Sequence, residues 1–315
     1  MLSYITRRII IQIGLICLIA GISFLFMHII PGNPVTIMLG ESATPESIEE
    51  VIHELKFDLP IHVQFVLWVK DILHGNFGKS YFMREDVNKI LAQRFPRTFW
   101  LAIWALLITV SIGIPMGILA AINHNTILDK VIIIICTSFL SIPIFVLALS
   151  LMFIFAVRLG WFPVAGGYVS PFKDLIGNIK GLFLPALSIS SMSLAYLARI
   201  TRSAMLEIMN KDFITTARAK GLKEKIVILK HMLKPASITI ISSLGITFGG
   251  LLGGTIISET IFVVPGIGRL MYEAVLARDY PVIQSLILFV GIIYSLVNLV
   301  TDILYAVVDP RISYI

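Results

Sequence analysis

The sequence predicts an all-α integral membrane protein: six transmembrane helices, with a helical insert outside the membrane between the first and second. Three observations carry this. Hydrophobic residues make up 57% of the 315 and charged residues only 14%, whereas a soluble domain carries about 25% charge. The mean hydropathy is +0.92. Six apolar runs each approach or exceed the ~20 residues that cross a bilayer. Between the fourth and fifth lies one short, strongly basic, amphipathic stretch, Asp212 to Pro235. No linker divides the chain, so residues 1–315 read as a single domain.

The first span runs from about residue 9 to 30, behind Arg7 and Arg8. A basic flank before an apolar run also describes a signal peptide. This run is long enough to span, and Pro31-Gly32-Asn33-Pro34 ends it where a small-residue cleavage site would stand. An uncleaved span is expected, with its N-terminus in the cytoplasm. Residues 32–97 form the extracytoplasmic insert. Thr44-Pro45 is an N-cap followed by proline at the first helical position. Ile48, Val51, Ile52 and Leu55 make one helical stripe; Phe65, Val69, Ile72 and Leu73 make another, ended by Gly75. Gly78-Lys79-Ser80 is no phosphate loop, because Leu73 stands where that motif needs its first glycine.

The second span covers about 99–122, with a kink expected at Gly113-Ile114-Pro115-Met116-Gly117. The turn Asn123-His124-Asn125 leads to the third, about 131–157, which contains Pro143. An outer loop with Gly166-Gly167 and Pro171 precedes the fourth, about 182–200, opening near Pro185. The fifth, about 238–262, carries Gly245, Gly249, Gly250, Gly253 and Gly254. Small residues four apart let helices approach closely, and they can also line a narrow passage. The sixth covers about 282–308. Six spans put both termini on one side. Arg7, Arg8, Lys130, the 201–235 loop and Arg311 are then cytoplasmic, as basic short loops require.

The basic stretch reads as two short helices broken by Gly221. Asp212 caps the first, and Gly221 suits the left-handed position after its last turn. In the second, Leu222, Ile226, Leu229 and Leu233 share one face, and Lys223, Lys225, Lys230 and Lys234 cover much of the rest. Pro235 then begins a new span. Such a hairpin is a docking device; a topology signal and a lipid-surface helix are the blander readings.

The net charge is +6 and the pI near 9.3. Much of the excess sits in this one loop, so the partner is a protein or lipid headgroups and not nucleic acid. Cys17 and Cys136 fall inside spans and are expected buried and reduced. The six histidines lack metal-ligand spacing. No nucleophile elbow or His-Glu-x-x-His occurs, so no active site, cofactor site or metal site is expected in the chain. Ionisable residues inside spans are functional suspects. Asp302 lies one turn from Asn298, which favours a structural pair. Glu259, beside the glycine-rich face, is the candidate for a translocation pathway with Gly249 and Gly253.

Thr216-Ala217-Arg218-Ala219-Lys220-Gly221, then His231-Met232-Leu233, resembles the coupling loop of ATP-binding-cassette importer permeases. That pattern is Glu-Ala-Ala, three residues, Gly, nine residues, then Ile-x-Leu-Pro. Ala217, Gly221 and Leu233 fit. Thr215 and Thr216 replace Glu and Ala, His231 replaces Ile, and Lys234 replaces Pro, departures that look like the peptide and nickel branch. Val264-Pro265-Gly266-Ile267-Gly268-Arg269, Arg278-Asp279-Tyr280-Pro281 and Asp309-Pro310-Arg311 are similar to segments of the same branch. The resemblance implies a type I (MetI-like) importer permease carrying di- or oligopeptides, or alternatively nickel, a nickel chelate or glutathione. It implies a coupling site at Thr216, Ala217, Arg218, Gly221, His231 and Leu233. It also implies a homologous second permease as heterodimer partner, an extracytoplasmic solute-binding protein, and two cytoplasmic subunits that bind ATP and Mg. An ion-coupled secondary transporter is the alternative of a different class; it would show inverted repeats and several ionisable midplane groups. An intramembrane enzyme lacks its motifs here.

Overall fold

A computed structural model describes residues 2–29, 35, 39, 44–54, 56–165, 167–253 and 255–308. The expectations at Pro31-Gly32-Asn33-Pro34, Leu55, Gly166, Gly254 and Asp309-Pro310-Arg311 lie outside them. Among the described residues the chain is almost wholly helical. The helices are α1 (Leu2–Ile29), α2 (Pro45–Glu54), α3 (Ile61–Leu73), α4 (Val87–Ile122), α5 (Ile127–Ser141), α6 (Ile144–Arg158), α7 (Leu175–Met209) and α8 (Asp212–Ala219). Then come α9, which starts as Glu224–Ile226, passes through a π-helical Val227–Met232 and continues as Leu233–Gly253, and α10 (Thr255–Ile261), α11 (Ile267–Ala277) and α12 (Tyr280–Val308). Five helices are long and apolar enough to cross a membrane; the pair α5–α6 makes a sixth if counted as one span.

Local chemistry explains most ends. Thr44 and Ser47 cap α2 reciprocally, Ser47 N donating to Thr44 Oγ1 (3.2 Å) and Thr44 N to Ser47 Oγ (2.9 Å). Gly75 ends α3 at φ +76, with Asn76 N reaching back to Asp71 O at 2.9 Å. This is the Schellman closure that favours glycine. Leu73, placed on the second helical stripe, is 81% exposed. Pro143 bends α5 and α6 to 101°, because Ile142 before it is held extended. By contrast α4 runs unbroken through Pro96 and Pro115, and α7 through Pro185, which sits well inside the helix rather than at its start.

The 36 residues of α4 make a rod of about 54 Å at 1.5 Å per residue. That exceeds the ~30 Å hydrocarbon layer. The stretch 87–97, read with the insert, is its first turns; Arg94 there meets Glu273 at 3.5 Å, and Arg97 donates to Pro265 O at 3.1 Å. α4 lies tightly on α7: a Cβ on Gly117 would stand 2.5 Å from Ala198 O. α1 packs on α12 through Ser295, which donates to Gln12 Oε1 (2.5 Å), and through Arg8 and Asp302 at 3.4 Å. Asp302 thus answers an arginine on another helix rather than pairing with Asn298. Most of the rest of α1, Cys17 included, is exposed, and only Cys136 of the two cysteines is buried.

Candidate functional site

The hairpin at 212–233 is built in three layers. Its turn is a Schellman closure: Leu222 N donates to Ala217 O (3.4 Å) and Gly221 N to Arg218 O (2.9 Å), with Gly221 at φ +73. Asp212 does not cap α8. It is the first helical residue, behind Lys211, whose side chain makes no cap hydrogen bond; an acidic group there still favours the positive helix end. Across the turn, Arg218 clips Glu224, Nη2 to Oε1 at 2.7 Å and Nε to Oε2 at 3.3 Å. The hydrogen-bonded carboxylate raises the Arg218 pKa. The pair is half exposed, so it contributes under about 1 kcal/mol and serves to hold the angle.

The second layer is the anchor. Ile214, Ala217, Val227 and Met232 are buried in a cluster with Leu197 and Met205 of α7 and Ala236 and Ile240 of α9. The third layer faces outward. Leu222, Ile226 and Leu229, the stripe that shares one face, are 37%, 41% and 50% exposed, together with Phe213 at 47%. Lys220, Lys223, Lys225, Lys230 and Lys234 are also exposed. Thr216 is exposed, its hydroxyl donating to Asp212 O, while His231 and Leu233 are half-buried.

Pro235 does not begin a new helix. The second hairpin helix continues into α9 through the π-helical turn. A widened turn is one way to seat a proline, which has no N–H to return to the preceding turn. The hairpin is therefore one rigid body with the following span.

A second feature braces the same end of α7 and was not legible from spacing. Asp129, 2% exposed, accepts from Arg202 Nε (2.7 Å) and Nη2 (2.8 Å) and from Asn125 N (3.0 Å). It ties the α4–α5 turn to α7, seven residues before α7 ends at Met209. Thr126 at the N-cap, with Asp129 three residues on, marks the turn in the sequence; nothing there marks Arg202. Asp129→Ala leaves the guanidinium without its carboxylate, with only His124 Nδ1 at 3.1 Å from Nη2. It should cost on the order of 2–3 kcal/mol, below the cost of a wholly buried pair because Arg202 keeps some solvent. Thermal denaturation of the purified complex measures it, and an unchanged midpoint would refute the brace.

The glycine-rich face divides in two. A Cβ on Gly249 would strike the Tyr294 ring at 2.5 Å, and one on Gly245 would overlap Thr301, so these two seat α9 against α12. Gly250 and Gly253 face open space. Glu259 lines no opening. It is fully buried on α10, past the break that ends α9, and accepts from Thr98 Oγ1 (2.6 Å) and Arg269 N (2.8 Å). Thr98 in turn accepts from Ile267 N at 2.8 Å. The carboxylate holds the Pro265-Gly266 turn against α4. Gly268 is required there too, since a Cβ would stand 2.8 Å from Ile256 N.

Long apolar helices with a basic hairpin rigidly joined to two of them define a multi-pass membrane protein that presents an apolar and basic surface outside its spans. The family model of binding-protein-dependent transport system inner membrane components matches residues 113–314, and that of their N-terminal region matches residues 1–102. The chain belongs to this family. A putative peptide transport system permease protein of Brucella abortus (strain 2308) is 39% identical over 315 residues, all of both chains. The glutathione transport system permease protein GsiC of Salmonella choleraesuis (strain SC-B67) is 38% identical over 314 residues, again all of both. The fold matches an inward-facing structure of the MetNI methionine ABC transporter with TM-score 0.59 and 19% identity, over 70% of this chain and 96% of that one. The family makes the chain the membrane channel subunit of an importer, which is not itself an enzyme, and implies ATPase and solute-binding partners.

Proposed function

We propose that this chain is one of two homologous permease subunits that together carry short peptides inward across the cytoplasmic membrane, driven by ATP. Two cytoplasmic ATPase subunits bind the ATP and Mg; an extracytoplasmic binding protein delivers the peptide. Both termini and the hairpin face the cytoplasm. The observation that carries this reading is the hairpin: clipped by Arg218 and Glu224, anchored by Ile214 and Val227, continuous with α9, and apolar and basic on its outer side. An ATPase seated on Phe213, Leu222, Ile226 and Leu229 would move α7 and α9 as levers, which is coupling through a two-state element. The open face at Gly250 and Gly253 is then the side turned to the pathway and the second permease.

The names of the relatives support peptides first and glutathione second; nickel chelates remain the branch alternative. Reconstitution with the cognate partners tests this. Di- or oligopeptides should accumulate only with ATP and binding protein. Accumulation driven by an ion gradient without ATP would overturn the reading, and uptake of glutathione or a nickel chelate alone would replace the solute.

A further inference from the structure

Inside the elbow between α5 and α6 lies a groove of about 580 Å³. Thr137, Ser138 and Ser141 of α5 line it, with Ile142 and Pro143 of the break and Val146 of α6. All six are exposed. The break sits deep. Lys130, charged and exposed, marks the watery end of α5. Ser141 comes eleven residues later, about 16 Å along the axis at 1.5 Å per residue. That is near the middle of a ~30 Å hydrocarbon layer.

The main chain there is left incomplete. Pro143 has no N–H to return to the preceding turn. Ile142 N goes to Ser138 O (3.0 Å), and Val146 N and Leu147 N both go to Pro143 O (3.0 and 3.2 Å). Among the described residues no donor reaches the carbonyls of Ser141 and Ile142. The hydroxyls of Thr137, Ser138 and Ser141 each donate to the carbonyl one turn back, at 2.8, 2.9 and 2.9 Å. Their protons are used, which leaves their lone pairs to accept. The groove is rich in acceptors and carries no charged side chain.

Unpaired main chain at this depth does not face lipid; it is buried in protein or lines water. Those two surroundings differ in chemistry. A helix of a second permease has already spent its backbone N–H groups on itself and brings only side-chain donors. Water and a peptide in transit bring free O–H and N–H groups. The elbow also adjoins the α9–α10 joint. Ile144 packs on the cluster that holds Leu251, two residues before Gly253, and α6 leans on α10. We infer that the hollow of the elbow lines the water-filled pathway. There the carbonyls of Ser141 and Ile142, with the hydroxyls beside them, accept from main-chain N–H groups of the passing peptide. Such contacts read the peptide backbone and not its side chains. The inference rests on the peptide reading above and names residues of this chain that touch the solute.

Thiol chemistry tests the water. The full complex is reconstituted with Cys17 and Cys136 replaced by alanine, and with Ser138→Cys or Ser141→Cys added singly. Each should react with a trimethylammonium methanethiosulfonate, which needs water, at least tenfold faster than native Cys17 does in a Cys136→Ala complex. Cys17 is exposed too, but on the unbroken α1. Once modified, the Ser141→Cys complex should lose most of its uptake. Contact is tested separately. Photoleucine-phenylalanine, illuminated during turnover with binding protein and ATP, should crosslink within residues 137–146. Rates no faster than at Cys17 overturn the proposal and place the elbow against the second permease. Crosslinks that all fall elsewhere also overturn it. Ser138 and Ser141 are both exposed, so a variant that assembles poorly leaves the other to decide. Peptide uptake with unreactive thiols sinks only the elbow. Reactive thiols in a complex that carries glutathione or a nickel chelate and no peptide sink the reading beneath it.

Discussion

Gly221→Val is expected to abolish most ATP-driven uptake while the amount of subunit in the membrane stays near normal. The reason is backbone, not space. A Cβ at this position meets nothing within 4 Å, but φ is +73°. A β-branched residue resists that conformation by on the order of 1–2 kcal/mol, too little to undo a fold that buries several apolar clusters. The strain is relieved by opening the Schellman turn. That breaks the Leu222-to-Ala217 hydrogen bond and pulls Glu224 from Arg218. The outward residues Leu222, Ile226 and Leu229 then leave the plane of Phe213, and an ATPase surface shaped to the original angle no longer seats. Stimulation of ATPase activity by the binding protein should fall with uptake. Gly221→Asn, which tolerates the left-handed region, should retain much of both. Lys223→Ala, a charge change with the backbone left alone, should retain nearly all. A Gly221→Val complex that couples and transports like its parent would remove the hairpin from the mechanism.

Glu259→Ala should destabilise the subunit by about 1–3 kcal/mol for each of the two buried donors it strands, the largest effect expected of any single side chain here. It strands the Arg269 amide and the Thr98 hydroxyl in a space closed to water and leaves a void where the carboxylate stood. α10 and α11 would then separate at the Pro265-Gly266 turn. Glu259→Gln should be much milder. Its carbonyl oxygen can accept from Arg269 N, and its amide can donate to Thr98 once the hydroxyl turns. Thermal denaturation of the purified complex, with uptake per folded molecule, separates a structural role from a solute contact. Had Glu259 met the solute, Gln would damage transport at unchanged stability; that pattern would refute the assignment made here.

Much was legible because it depends on local rules. The Thr44-Pro45 start, the Gly75 stop and the left-handed Gly221 follow from capping and glycine chemistry within a few residues. The apolar runs follow from length and composition. Periodicity puts Leu222, Ile226 and Leu229 on one face but cannot say which side of it is covered; the fold leaves all three outward. Asp212 and Pro235 were read as boundaries because a local signal was present; the chain set one helix start a residue earlier and carried the other helix through the proline in a π turn.

By itself the sequence determined a membrane protein of apolar spans, with a basic hairpin between the fourth and fifth carrying its glycine at the turn. Hydropathy over ~20 residues and the conformation of one glycine need no distant partner. Only the tertiary structure decided what the ionisable residues do. Asp129 found Arg202, Asp302 found Arg8, and Glu259 found Thr98 and the amide of Arg269. A charge in a low-dielectric interior takes its role from whatever stands within a few ångströms, and for most of these groups that neighbour lies far along the chain.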